Sequence, residues 1–66
     1  MIQIEGNPHK YQDFAIYLDG KEVVSWSSQE IKDDELSSRT SKYMFDLYLN
    51  NQQKLIKLLT KINKGE

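Results

Sequence analysis

Two runs of β-branched and aromatic residues flank the dipeptide Asp19-Gly20. Asp and Gly tolerate the positive φ angles that a two-residue type I′ turn needs at both central positions. The pattern therefore predicts a β-hairpin with strands near residues 11–18 and 21–27. Apolar and polar residues also alternate near residues 2–5, which predicts a further short strand.

The two-residue loop predicts a simple register in which Ile16 faces Val23 and Phe14 faces Ser25. One face of the hairpin then carries Phe14, Ile16, Leu18 and Val23, and we expect this face to lie on the core. The other face is also rich in apolar residues, namely Tyr11, Ala15, Tyr17, Val24 and Trp26. A solvated sheet face is normally polar, so this second face predicts contact with another element or with a partner.

The C-terminal part of the chain has the period of about 3.6 that is typical of an amphipathic helix. Its apolar side carries Met44, Tyr48, Leu55, Leu58, Leu59 and Ile62, and lysines occupy the opposite side. We therefore predict a helix near residues 41–63 that packs on the hairpin. Residues 43–49 are apolar nearly all round and rich in strand-forming types, so the alternative is a strand there, a break at residues 50–53 and a shorter helix.

Residues 28–40 are mainly polar and predict an exposed connector. Ser27 and Glu30 have the spacing of a capping box, so a short helix beginning here is an alternative, as is a helix that continues to the C-terminus. The predicted fold is α+β: one small domain with an N-terminal antiparallel hairpin or three-stranded meander, followed by a C-terminal amphipathic helix packed on the sheet.

Composition limits how this domain is stabilised. The chain has 66 residues, 38% of them apolar, and no cysteine. A chain this short rarely obtains more than about 3–5 kcal/mol from its core, and no disulfide is available to add to it. Self-association or a partner protein is then the expected further source of stability.

Charge and hydropathy bear on location. The net charge of −1 gives no global field that would favour nucleic acid or an anionic membrane. No apolar run approaches the roughly 20 residues of a membrane span, and the N-terminus lacks the pattern of a signal peptide. We expect a cytoplasmic protein that does not associate with membranes.

Candidate chemistry is sparse. The single histidine, His9, lies in a predicted loop, and no serine lies in a nucleophile motif. The acidic run at residues 33–35 lacks the ligand spacing of a calcium loop, and the glycines form no phosphate-binding motif. We expect no catalytic residues, no metal, no cofactor and no small-molecule substrate.

The apolar arc of the predicted C-terminal helix is too wide for one hairpin to cover. Together with the aromatic hairpin face, it predicts a protein-interaction surface formed by Tyr11, Tyr17, Trp26, Met44, Phe45, Leu49 and Ile56. Large exposed apolar patches are unusual in soluble monomers. The hypothesis is therefore a partner protein or a homodimer.

A second hypothesis rests on the lysines Lys54, Lys57, Lys61 and Lys64, which share one side of the helix. Lysines one turn apart can neutralise successive phosphates of a nucleic acid. The composition, rich in Lys, Asn and Ile with a single Arg, is typical of low-GC genomes, whose small proteins often belong to phages or plasmids and act on a host protein. We therefore expect a non-enzymatic regulator or inhibitor, with nucleic-acid binding as the alternative.

Overall fold

The computed structural model describes residues 1–65 and contains a sheet followed by helices. The antiparallel strands lie in the order β1 (Ile2–Glu5), β2 (Phe14–Leu18) and β3 (Lys21–Trp26), and a single 3₁₀ turn, Pro8–Lys10, lies between β1 and β2. The helices are α1 (Ser28–Asp33), α2 (Glu35–Asn50) and α3 (Gln52–Asn63). The α+β fold with a three-stranded meander is confirmed.

The hairpin between β2 and β3 has the predicted turn but a different register. Asp19 and Gly20 have φ angles of 52° and 83°. Beyond the turn, Tyr17 pairs with Glu22 while Ile16 pairs with Val24, so Val23 is an extra residue in a β-bulge. The predicted pairing of Ile16 with Val23 is wrong, because a turn signal fixes only the strand ends next to it.

The bulge moves Trp26 to the core face of the sheet. Trp26 pairs with Phe14, and their rings stack with centroids 5.8 Å apart. Val24 is half-buried against the core in the same way. The predicted second aromatic face, with Val24 and Trp26 beside Tyr17, is therefore wrong, since one inserted residue reverses the orientation of every residue after it.

Strand β2 begins at Phe14, three residues later than the predicted start at residue 11. Asn7 organises the preceding loop, because its carbonyl accepts hydrogen bonds from the N–H groups of Lys10 and Gln12. Tyr11 has a φ of 54° and is therefore not extended. The loop replaces the first part of the predicted strand.

Residues 28–33 form α1 and residues 35–40 begin α2, so the predicted polar connector is wrong and the alternative of a short helix beginning here is confirmed. Ser27 and Glu30 form the capping box that the spacing indicated: the Glu30 N–H donates to the Ser27 hydroxyl at 3.1 Å, and the Ser27 N–H donates to the Glu30 carboxylate. Asp34 ends α1 and caps α2 through the N–H of Leu36. Two caps compensate for the weak apolar pattern of this segment.

Residues 43–49 lie within α2, and the strand alternative for them is wrong. The single long helix near 41–63 is also wrong, because the chain leaves helical geometry at Asn51, whose φ is −155°. The Asn51 side chain accepts a hydrogen bond from the Lys54 N–H at 3.2 Å and so caps α3. The interruption allows α3 to pack beside α2 and against the sheet.

The core contains residues from both the sheet and the helices: Phe14, Ile16, Ile31, Met44, Leu55 and Leu59. Leu55 and Leu59 are the buried residues of α3, and Leu58 is half-buried beside them. Ile62, predicted to face the core, is 37% exposed near the helix end. Ser41 is also buried, and its hydroxyl donates to the carbonyl of Ser38 at 3.1 Å.

Leu55→Ala is expected to unfold much of the protein. Removing a buried leucine side chain typically costs about 2–5 kcal/mol, which is comparable to the total stability of about 3–5 kcal/mol expected for a chain of this size. Urea denaturation followed by circular dichroism measures the change. Leu36→Ala is the matched control, since Leu36 is 70% exposed. A Leu55→Ala midpoint equal to that of the control would contradict this core.

Gly6 occupies a position that only glycine fits. A Cβ atom there would lie 1.7 Å from the carbonyl oxygen of Asp13, and the φ of 83° is also unfavourable for other residues. Gly20 has the same φ, but a Cβ there meets no atom within 4 Å. The two glycines therefore share the backbone strain and differ in the steric contact.

Gly6→Ala is accordingly expected to destabilise the protein more than Gly20→Ala. The positive φ alone costs about 1–2 kcal/mol in each variant, and only Gly6→Ala must also displace the backbone at Asp13. Thermal melts of the two variants give the difference. Equal melting temperatures would show that β1 and the start of β2 do not approach this closely.

Candidate interaction surfaces

The residues predicted to form one interaction surface are divided between the core and the surface. Met44 is buried, and Phe45 and Trp26 pack against the core, with the Phe45 ring edge-on to Phe14 at 5.8 Å. Met44 is therefore part of the core, whereas Phe45 and Trp26 are half-buried and contribute to it with part of their surface. The sequence could not separate them from exposed residues, because an apolar arc does not show which part of it the sheet covers.

The exposed members of the predicted set lie on different elements. Tyr11 follows the 3₁₀ turn and lies beneath the Lys42 ammonium, with Nζ 5.1 Å from the ring centroid. Leu49 is 62% exposed at the end of α2, and Ile56 is 38% exposed on α3. Tyr17 is half-buried on the sheet face that points away from the core.

A groove of about 570 Å³ lies along β1. We call it the β1 groove; it is lined by Ile2, Gln3, Ile4, Glu5, Tyr17, Gly20 and Tyr48. Strand β1 is an edge strand of the sheet. It contributes side chains from both faces of the sheet to the groove, because successive side chains of a strand point to opposite faces. Of these residues, only Tyr17 belonged to the predicted surface.

The sheet face away from the core is acidic around Tyr17. Glu22 lies directly opposite Tyr17 on β3, and Glu5 lies diagonally across from it on β1. The negative charge of Glu5 is the largest cause that raises the pKa of Tyr17, followed by partial desolvation and by Glu22. A side chain that is already surrounded by negative charge resists ionisation, so this face has a negative potential at neutral pH.

A second exposed apolar feature lies on α2. Leu36, Arg39, Thr40 and Tyr43 line a shallow depression of about 420 Å³. Their i, i+3, i+4, i+7 spacing is readable in the sequence as one helix face. It was missed because residues 28–40 were interpreted as a connector.

The four lysines of the second hypothesis are all exposed. They follow one side of α3, except that Lys64 lies just beyond its end. The Lys54 ammonium lies 6.0 Å from the ring centroid of Tyr43. None of the four takes part in an ion pair with another residue in the 1–65 range.

His9, the single histidine of the sequence, contacts a carboxylate. Its Nε2 lies 3.1 Å from a carboxylate oxygen of Asp46, and its ring meets Phe45 edge-on. No hydroxyl or amine side chain of the described chain hydrogen-bonds to it, so no nucleophile is placed beside this pair. Within residues 1–65, no group of three or more His, Cys, Asp or Glu side chains has the arrangement of a metal site.

Comparisons with protein-family models, with curated proteins and with solved structures found no match. Among the helices of residues 1–65, none has both the length and the apolar character that crossing a membrane requires. The class that the structure defines is a small α+β protein with a three-stranded antiparallel meander followed by helices.

Glu5→Gln is expected to lower the pKa of Tyr17 towards its ordinary value. Glu22→Gln is the control and should lower it less, because Glu5 makes the larger contribution. Carbon-13 NMR of the tyrosine rings over a pH titration measures both changes. A Tyr17 pKa that stays the same in Glu5→Gln would show that Glu5 is not beside this ring.

Proposed function

We propose that this chain is a small non-enzymatic protein-interaction module that acts in the cytoplasm as a regulator or inhibitor by occupying the surface of another protein. The observation that carries the proposal is the β1 groove, where an unpartnered strand edge lies next to the aromatic side chain of Tyr48. Unpaired strand edges are sites at which a second chain adds to a sheet.

Exposed apolar side chains outside the groove support the same proposal. Leu36 and Tyr43 on α2 and Leu49 at its C-terminal end are all exposed to solvent. Apolar and aromatic side chains of this kind are typical contact residues at protein interfaces. A phage or plasmid origin agrees with the role of a regulator or inhibitor. The proposed partner protein can also be a second copy of this chain.

Capture from nuclease-treated lysate of the source organism tests the proposal. The folded chain is expected to retain a protein that the immobilised Leu55→Ala variant does not retain, because recognition by a surface requires the fold. Light scattering of the purified chain tests self-association in parallel. A monomeric chain that retains no fold-dependent protein would contradict the proposal.

Nucleic-acid binding through the lysines of α3 is the second candidate function. The supporting observation is that Lys54, Lys57 and Lys61 are exposed and that none of them forms an ion pair with another residue in the range 1–65. Nucleic acid or protein that is captured from untreated lysate but not from nuclease-treated lysate would support this function. An affinity for duplex DNA that falls steeply with salt concentration would also support it. Lys57→Glu with Lys61→Glu should abolish that binding, and no retardation of any nucleic acid at low salt would exclude it.

A further inference from the structure

The outer edge of β1 presents backbone groups that no other strand within residues 1–65 uses. The Asp19 N–H donates to the Met1 carbonyl at 3.0 Å, and the adjacent pair in the register is Ile2 with Leu18. Since hydrogen-bonded and non-bonded pairs alternate in an antiparallel ladder, Gln3 and Glu5 direct their N–H and C=O groups at β2. The N–H and C=O groups of Ile2 and Ile4 point away from the sheet.

The two sides of this edge differ in chemistry. On the core side, Ile2 and Ile4 are half-buried, and Tyr48 of α2, which also packs against the core, lines the β1 groove with them. On the other side, the wall is formed by Gln3, Glu5 and Tyr17. An extended chain added to this edge would alternate its side chains between an apolar wall and a polar, aromatic wall.

Charge selects the residues that fit the polar wall. Glu5 is exposed, and Glu22 lies beyond Tyr17 on the same sheet face; among the described residues, no Lys or Arg lines the β1 groove. The raised pKa of Tyr17 agrees with a negative potential there. A Lys or Arg side chain beside Glu5 gains an ion pair, and it also gains a cation–π contact if it lies over the Tyr17 ring.

We propose that the β1 groove binds an extended segment of a partner protein in which apolar residues alternate with lysine or arginine. The segment adds to the sheet as a fourth strand through the free backbone groups of Ile2 and Ile4. Its apolar side chains contact Ile2, Ile4 and Tyr48, and its basic side chains lie beside Glu5 and Tyr17. This inference rests on the proposed interaction function and names the chemistry of the partner.

A titration of the isotope-labelled full chain with short blocked peptides tests the recognition. A peptide of alternating valine and lysine is expected to shift the amide resonances of residues 2–5 saturably. Its counterpart of alternating valine and glutamate should bind at least about tenfold more weakly, because it places like charges together. In the Glu5→Lys variant the preference should reverse.

Ile4→Pro tests the backbone contribution with Ile4→Ala as its matched control. Proline removes the outward N–H of residue 4 while leaving the bonds between β1 and β2, which use Gln3 and Glu5. Both variants lose the isoleucine side chain, so a weaker lysine-peptide affinity in Ile4→Pro than in Ile4→Ala isolates the strand-edge bond. Equal affinities would overturn strand addition.

Other outcomes overturn the inference in distinguishable ways. Equal affinity for both peptides, or shifts confined to residues outside the β1 groove, would exclude the charge-selective site. If the amide resonances of Ile2 and Ile4 shift with protein concentration in the absence of peptide, a second copy of the chain occupies the β1 groove. If a fold-dependent protein is still captured by Glu5→Lys while neither peptide binds, the interaction function stands and this site is wrong.

Discussion

The packing of Phe14 between Trp26 and Phe45 joins the three parts of this fold. Phe14 lies on the central strand, Trp26 ends the last strand and Phe45 is in α2, with both ring pairs at centroid distances of 5.8 Å. The contact depends on the β-bulge at Val23, which brings Trp26 to the core side. The same bulge removes Val24 and Trp26 from the face that carries Tyr17, so one inserted residue changes the composition of both faces of the sheet.

Local signals in the sequence predict the parts of the fold that depend on neighbouring residues. The Asp19-Gly20 turn, the Ser27–Glu30 capping box and the alternation of β1 all correspond to observed structure. The bulge was not predictable, because Val23 and Val24 are equally suited to face the core and only packing decides between them. The break at Asn51 was indicated by polar residues, but the choice between strand and helix before it depended on tertiary contacts.

The residues of the candidate interaction site were predictable only in part, because tertiary packing decides which apolar residues stay exposed. Of the predicted surface, Tyr17 remains at the β1 groove, while Met44 is buried and Trp26 contacts Phe14. A helical wheel identifies apolar residues, but the sheet and α3 determine which of them stay exposed. The groove itself arises from strand order, since β1 becomes an edge only when β2 pairs with β3 on its other side.

Both proposals for the β1 groove require that the edge of β1 be free in the isolated protein. Amide hydrogen exchange, followed by NMR residue by residue, measures this directly. We predict slow exchange for Gln3 and Glu5, whose N–H groups point at β2, and fast exchange for Ile2 and Ile4. Slow exchange at all these positions in a dilute monomer would show that another part of the chain covers the edge, and strand addition at β1 would then be excluded.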